Sequence, residues 1–509
     1  MTKRETYISR QAKRLSKGQI DRRRFVMSAL ATGVTMPTAM SLASRAEAMV
    51  PKRGGLFRFG VADAYDPASA TSGMSRTRNL AQCDGLVDLM PDGTVIPALA
   101  KRFGSDDGGW TWEFELRAGV QFHSGAPVTA GDVIASFRHA ARHSPATRGA
   151  LSEIKDIRSD SPARLILHLH HPHRRFPELL AAPELIIRPA IDGRIDPTTP
   201  DGTGAYRLAH FQPGRSAELV RNENDWRRDR GFFERVELFA MPDAALRQSA
   251  MMNGEVDAID SVDPRVSALL TSLPDIEILE VRGATHLAFT MPLSHPIFAD
   301  PHLRKALKAA VDREDMLDTG FLGHGTLAGD TPGFDCTDVP AFDVERAAWH
   351  HRAARHQGPI PLTLDRSAPP AVTLAADLFR TSAQAAGIEI AVQSAVETAY
   401  PQGMTARMRR GMPSEDAGYA ATYMPGAGLC ETGWSCAPEA EPFQSAVRAA
   451  RASDDGASSY AMARSLLAEN GAEILPLHAN DLFAHSTRLA VEATSIKDSA
   501  SLLLRGWYK

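Results

Sequence analysis

Between Asn79 and Ala140 the chain alternates short apolar runs with clear turn chemistry. In the run Trp110 to Arg117, the residues Trp110, Trp112, Phe114 and Leu116 alternate with Thr111, Glu113, Glu115 and Arg117. A period of two predicts a strand with one buried face. Asp92-Gly93 predicts a tight turn between two short apolar runs, and Ser124-Gly125-Ala126-Pro127 a second turn. Thr129 stands three before Asp132, the spacing of a capping box at a helix start. Val133, Phe137 and Ala140 continue that helix along one face.

The same patterns recur along the chain. Leu165 to Leu169 and Phe233 to Phe239 read as strands, and Ala244 to Asn253 as a helix. Asp300 caps a helix with Pro301 at its first position, and Leu303, Ala306, Leu307 and Ala310 form its apolar face. Asp312, three before Asp315, restarts a helix. Residues 333–370 show no clear periodicity and read as surface loop. Leu374 to Ala386 is a helix stopped by Gly387, and Ile388 to Gln393 follows as a buried strand. A last helix runs from Ala457 to Asn470 and stops at Gly471.

Charge separates the first 48 residues from the rest. They carry ten Lys/Arg against three Asp/Glu, so the formal net charge of -4 resolves into +7 there and -11 on the remainder. An acidic body gives no electrostatic reason to bind nucleic acid or an anionic membrane. At 509 residues the chain is long enough for two or three domains. Arg22 and Arg23, with Phe25 two positions on, resemble the twin-arginine export motif. The apolar run from Phe25 to Ala43 is too polar for a convincing membrane span, and Ala46-Glu47-Ala48 has the form of a cleavage site. Residues 1–48 are therefore expected to be a signal peptide. No cysteine precedes Cys83, so no lipid anchor is expected and the mature chain should be free in the periplasm.

The ordered text around Asp84-Gly85-Leu86-Val87, Trp112, Phe122-His123 and Thr129 to Val133 resembles the signature of the extracellular solute-binding proteins of family 5, the peptide, nickel and opine receptors of ABC importers. Gly131 departs from it, standing where the family usually carries an acidic residue. Further matches are the turn Gly202-Thr203-Gly204-Ala205-Tyr206, the close at Asn222 to Trp226, the corner Gly254 to Asp257, and Leu303 to Asp315. The resemblance implies an α/β, two-lobed periplasmic binding protein fold of type II, with an extra subdomain in lobe one. Lobe one would take residues 49–285, with the extra subdomain at about 80–200, and lobe two residues 286–477. Residues 478–509 would return to lobe one. The family further implies a likeness to monomeric receptors that deliver a small solute or peptide to membrane permease subunits.

No enzyme constellation accompanies this pattern: G-x-S-x-G, H-E-x-x-H, a P-loop and G-x-G-x-x-G are all missing. No cofactor is implied. An exported enzyme acting on a small peptide-like substrate is the alternative. His168, His170, His171 and His173 invite a metal reading, but the family places an ordinary strand and loop there, and no metal site is expected. The ligand-specific part is expected in residues 398–436, where the family's second lobe contributes to its cleft. There Glu415 and Asp416 offer paired carboxylates for an ammonium group, and Tyr423 and Trp434 offer aromatic faces. The same residues read equally as a solvated acidic turn and two core aromatics. The fallback is the cleft loop at Met74 to Arg78, including Arg76. Small peptides, opines, polyamine-like amines and nickel complexes all remain open as ligands. Cys430 and Cys436 are expected to form a disulfide, as family members often carry a bridge in this region.

Replacing Arg22 and Arg23 together by Lys should leave the precursor in the cytoplasm. Fractionation that recovers this variant in the periplasm at the normal level would exclude the twin-arginine route.

Overall fold

The computed structural model describes residues 3–16, 20–48, 50–62, 73–90, 93–283, 285–331, 339–364, 368–394, 403–409, 411–412, 414–428, 431–491 and 498–509. Two sheets of seven strands define two lobes. The first runs in the order Tyr206–Gln212, Ser216–Arg221, Arg235–Ala240, Leu56–Val61, Ala258–Ile259, Asp481–Ser486, Ile276–Val281. The second runs Gly325–Leu327, Leu477–Ala479, His286–Thr290, Met404–Arg409, Ile360–Leu364, Ile390–Ser394, with Glu473–Ile474 paired beside His286–Thr290. Both mix parallel and antiparallel pairs, and the sequence assembles each from distant segments.

The chain passes between the sheets twice. One crossing follows Val281 and the other is centred on Asn480. The two crossings touch: a side chain at Gly283 would lie 2.7 Å from the carbonyl oxygen of Ala479. Asn480 Nδ2 donates to Glu280 Oε1 at 2.6 Å, and His324 Nδ1 stands 3.1 Å from the same oxygen.

A four-stranded antiparallel sheet forms the extra subdomain, in the order Ala100–Gly104, Thr111–Leu116, Arg164–Leu169, Ile154–Ser161. Trp112, Phe114 and Leu116 are buried as the period-two pattern requires, whereas Trp110 precedes the strand and is exposed. The capping box is present: Thr129 accepts from the Asp132 N–H, and Asp132 accepts from the Thr129 N–H at 2.8 Å. Helix Ala130–His143 buries Val133, Phe137 and Ala140. Asp300 caps the helix Pro301–Ala309, and Leu303, Ala306 and Leu307 enter the core of lobe two. Gly387 stops helix Pro370–Ala385 with a φ of 73°.

Two expectations are corrected. Residues 333–370 are not all loop, because they hold the helix Val344–Ala354 and the strand Ile360–Leu364. The helix buries only Ala347, so it shows little apolar periodicity. The strand does alternate, with Ile360, Leu362 and Leu364 inside, but Pro361 sits within it. The strand Ile390–Ser394 lies at a sheet edge and buries only Ile390, so it is not a buried strand.

The extra subdomain also packs on lobe two. Ala417 and Ala420, from the helix Glu415–Thr422, belong to its apolar core. A side chain at Gly149 would overlap the carbonyl group of Ala420. Gly149→Val should therefore force the helices Pro145–Ser152 and Glu415–Thr422 apart and cost about 1–3 kcal/mol, the usual penalty of overpacking. Urea unfolding followed by tryptophan fluorescence checks this; an unchanged midpoint would show that the contact is dispensable.

Candidate functional site

Ser414 caps the helix Glu415–Thr422 by accepting from the Ala417 N–H at 3.2 Å. This places Glu415 and Asp416 in the first turn, where carboxylates are favoured. Consecutive helical residues face different ways, and the two acids meet different partners.

Asp416 is buried, at 4% exposure, and does not face an open cleft. Arg451 Nε donates to Asp416 Oδ1 at 2.8 Å. His173 Nε2, from the extra subdomain, stands 3.0 Å from Asp416 Oδ2. Arg451 Nη1 donates to Glu153 Oε1 at 2.8 Å, also in the extra subdomain. Burial alone would raise the Asp416 pKa, but the Arg451 guanidinium and His173 outweigh it and hold the carboxyl below the usual range. Burial pushes the His173 imidazole down, against the pull of Asp416. Arg174 fastens the same seam: its N–H donates to Arg451 O at 2.8 Å and its Nη1 to Asp454 Oδ1 at 2.6 Å.

Glu415 remains half-buried. It pairs with Arg464 Nη1 at 3.0 Å and accepts from the Tyr419 hydroxyl. Tyr423 and Trp434 are core residues. They pack edge to face with ring centres 6.1 Å apart, both against Phe443. The Tyr423 hydroxyl donates to Glu473. Arg76 stays in lobe one, 3.7 Å from Glu184 and 3.6 Å from Asp498. Met74 lies in the helix Gly73–Gln82; its side chain is outside the described residues. Among the described side chains, Arg76 is paired with Glu184 and Asp498 and not with the 415–434 group.

Cys436 is a free, exposed thiol, and its expected partner Cys430 lies outside the described residues. The histidine run separates too: His168 Nδ1 meets Thr111 Oγ1 at 3.1 Å, whereas His173 turns inward to Asp416. Near the N-terminus, Asp21 caps helix Arg22–Leu30. Arg22 and Arg23 lie in its first turn, and Phe25 is buried among three short helices. Ala46 and Ala48 end the helix Met36–Ala48. Among the described residues no helix is long and apolar enough to cross a membrane.

Sequence reasoning missed a polar sheet face in lobe two. Thr405, Arg407 and Arg409 share one face of their strand, opposite Met404, Ala406 and Met408. Arg409 pairs with Glu473 at 2.6 Å and Glu431 at 2.8 Å, and Arg407 also pairs with Glu431. The alternation in Met404 to Arg409 was the available signal.

Two α/β lobes joined by two short crossings, with a subdomain inserted in the first, make the two-lobed α/β fold of the periplasmic binding proteins. A family model, described as "Bacterial extracellular solute-binding proteins, family 5 Middle", matches residues 94–427, and the chain belongs to that family. A probable peptide ABC transporter periplasmic-binding protein from Sinorhizobium fredii is 26% identical over 276 residues, covering 50% of this chain and 52% of that one. The chain spans about half the length of the curated relatives it matches. Two solved structures share its fold. The binding protein AgaA from Agrobacterium tumefaciens, in complex with agropinic acid, has a TM-score of 0.76 at 20% identity, covering 89% of this chain and 99% of that one. The Helicobacter pylori protein DppA, in complex with the peptide STSA, has a TM-score of 0.76 at 18% identity, covering 90% and 98%.

Asp416→Asn should destabilise the fold by about 3 kcal/mol, because it leaves Arg451 short of a buried partner. This reverses the expectation for an acid in an open cleft. Acidification should also act through His173. Its depressed pKa means that the unfolded chain takes up a proton near pH 6.5 while the folded chain does not. The stability present above that pH is lost as pH falls below it. Arg451, Asp416 and Glu153 are the charged groups facing the ring. Urea midpoints from pH 7.5 to 5.5 should fall less steeply in His173→Gln; parallel slopes would show that His173 is not the titrating group.

Proposed function

We propose that this chain is the exported substrate-binding component of an ABC importer. It captures a small peptide or another amine-containing solute between its lobes and delivers it to membrane permease subunits. The observation that carries this reading is the joining of two separate sheets by only two short crossings, at Gly283 and Asn480, in a chain of this family. Such a connection supports hinge closure on a solute. The relatives named above are binding proteins: one is described as a probable peptide ABC transporter binding protein, one was solved with agropinic acid and one with a peptide. Opines and nickel complexes stand beside peptides as ligand classes to be tested.

Within the acidic pair, the structure favours Glu415 over Asp416 as the group that reads an ammonium. Asp416 is committed to Arg451 and His173, whereas Glu415 is half-buried with a single cation, Arg464, that a ligand amine could replace. Tyr423 and Trp434 are buried in a core cluster beside this helix, which supports a reading in which they back the helix rather than cover the ligand.

A thermal-shift screen of small peptides, opines, polyamines and nickel should give a response from one class. At a hundred times its dissociation constant, a true ligand stabilises the fold by about 2.7 kcal/mol. Glu415→Gln should weaken the responding ligand by about tenfold, worth about 1.4 kcal/mol. Silence from every class, together with consumption of a peptide by the purified chain, would replace the transport reading with the enzymatic one.

A further inference from the structure

A cavity of about 510 Å³ opens within lobe two. Its walls come from the helices Pro301–Ala309, Val344–Ala354 and Ala457–Asn470 and from Gly329, Thr331 and the residues Val339 to Ala341. Every described residue of the wall belongs to lobe two. Its chemistry is one-sided. Lys305, Lys308, Arg346 and Arg464 line it, against one lining carboxylate, Glu469.

Among the described residues, the neighbouring acids do not balance these cations. Lys305 Nζ is 2.9 Å from Glu469 Oε1, and Glu469 also lies in the field of Arg346. Lys308 Nζ is 3.2 Å from Asp330 Oδ2. Asp330 is itself divided, since its Oδ1 meets Arg313 Nη2 at 2.9 Å and accepts the Leu475 N–H at 2.9 Å. Arg464 pairs with Glu415. Among the described residues, no carboxylate lies within ion-pair distance of the Arg346 guanidinium. Among the described residues, four cations line the space against one lining carboxylate.

A purely structural role explains this poorly. The apolar side of helix Pro301–Ala309 is already spent on the core through Leu303, Ala306 and Leu307. The opposite side could have been solvated, yet Lys308 is buried there. Burial pulls its ammonium below the ordinary lysine value, and Asp330 only partly opposes this. Buried cations are costly unless paired. A group that supplied negative charge inside the cavity would pair Lys305, Lys308 and Arg346 at once. The volume suits a small molecule rather than a chain segment.

We propose that this cavity is a binding site for a small polyanion bearing carboxylate or phosphate groups. Lys305 and Lys308 present ammonium donors from one helix, and Arg346 closes the opposite side with a planar guanidinium suited to either oxyanion. Arg464 links the cavity to Glu415, so an anion that draws Arg464 inward leaves Glu415 less neutralised.

The test uses the purified chain with citrate and inorganic phosphate as probes and spermidine as the cationic control, by titration calorimetry and thermal shift. At least one anion should bind and raise the melting temperature, and the stronger of the two assigns the carboxylate or the phosphate source. Spermidine should do neither. Arg346→Glu should weaken the anion by more than about tenfold. Arg352→Glu makes the same charge change on the same helix outside the cavity, and should weaken it by less than about twofold. No response to either anion at millimolar concentration would overturn the site. Equal losses in the two variants, or a response to spermidine as large as to the anions, would overturn it as well. Because the probes and variants leave the interlobe ligand out, this outcome does not depend on the transport reading.

Discussion

A guanidinium in the protein interior must find acids there, and Arg451 finds them on two bodies. It is 2% exposed and bonds Asp416 of lobe two and Glu153 of the extra subdomain. Removing any one member leaves charge buried without enough compensation. This requirement sets where the helix Glu441–Ala452 ends and how the strand Ile154–Ser161 begins. His173 joins the cluster through Asp416, and Gly149 lets the Ala420 main chain approach closely at the same seam. The subdomain inserted in lobe one is thus held by lobe two. Any opening of the lobes must either carry the subdomain with lobe two or break a buried ion cluster.

The family signature proves structural in a specific sense. Asp84 Oδ2 accepts from Thr203 Oγ1 at 2.9 Å, Trp226 Nε1 at 2.9 Å and Arg230 Nη2 at 3.0 Å. Arg230 is buried and also meets Asp225, and Asn222 Nδ2 donates to Gly204 O at 3.1 Å. Side chains at Gly202 and Gly204 would strike the main chain at Gln82 and Ala81. Motifs read as separate turns are one polar knot in lobe one. They were legible because each position has a single demanding role: a close approach, a buried acceptor or an indole donor. The same demand makes them silent about the ligand.

The site was less legible, for a physical reason. Local pattern shows that Ser414, Glu415 and Asp416 open a helix, and they do. It cannot show that Arg451, 35 positions on, will occupy Asp416, because that pairing is decided by how two bodies dock. Tyr423 and Trp434 carry the same ambiguity, since an aromatic residue near a cleft and one in a core look alike in sequence. The helix Val344–Ala354 escaped notice because it fully buries only Ala347, and periodicity records burial rather than helicity.

The division of labour between Glu415 and Asp416 follows from helix geometry. Adjacent residues on a helix point about 100° apart, so a single turn can serve two surfaces. Asp416 points into the seam with the extra subdomain, where Arg451 and His173 hold it. Glu415 points along lobe two toward Arg464, which also lines the cationic cavity. A disturbance at the seam would tilt the helix and move Glu415. A change at the cavity would reach Glu415 through Arg464 without touching the seam. The same turn therefore touches both places through different direct partners, Arg451 and His173 at the seam and Arg464 at the cavity, and a change at either one converges on Glu415.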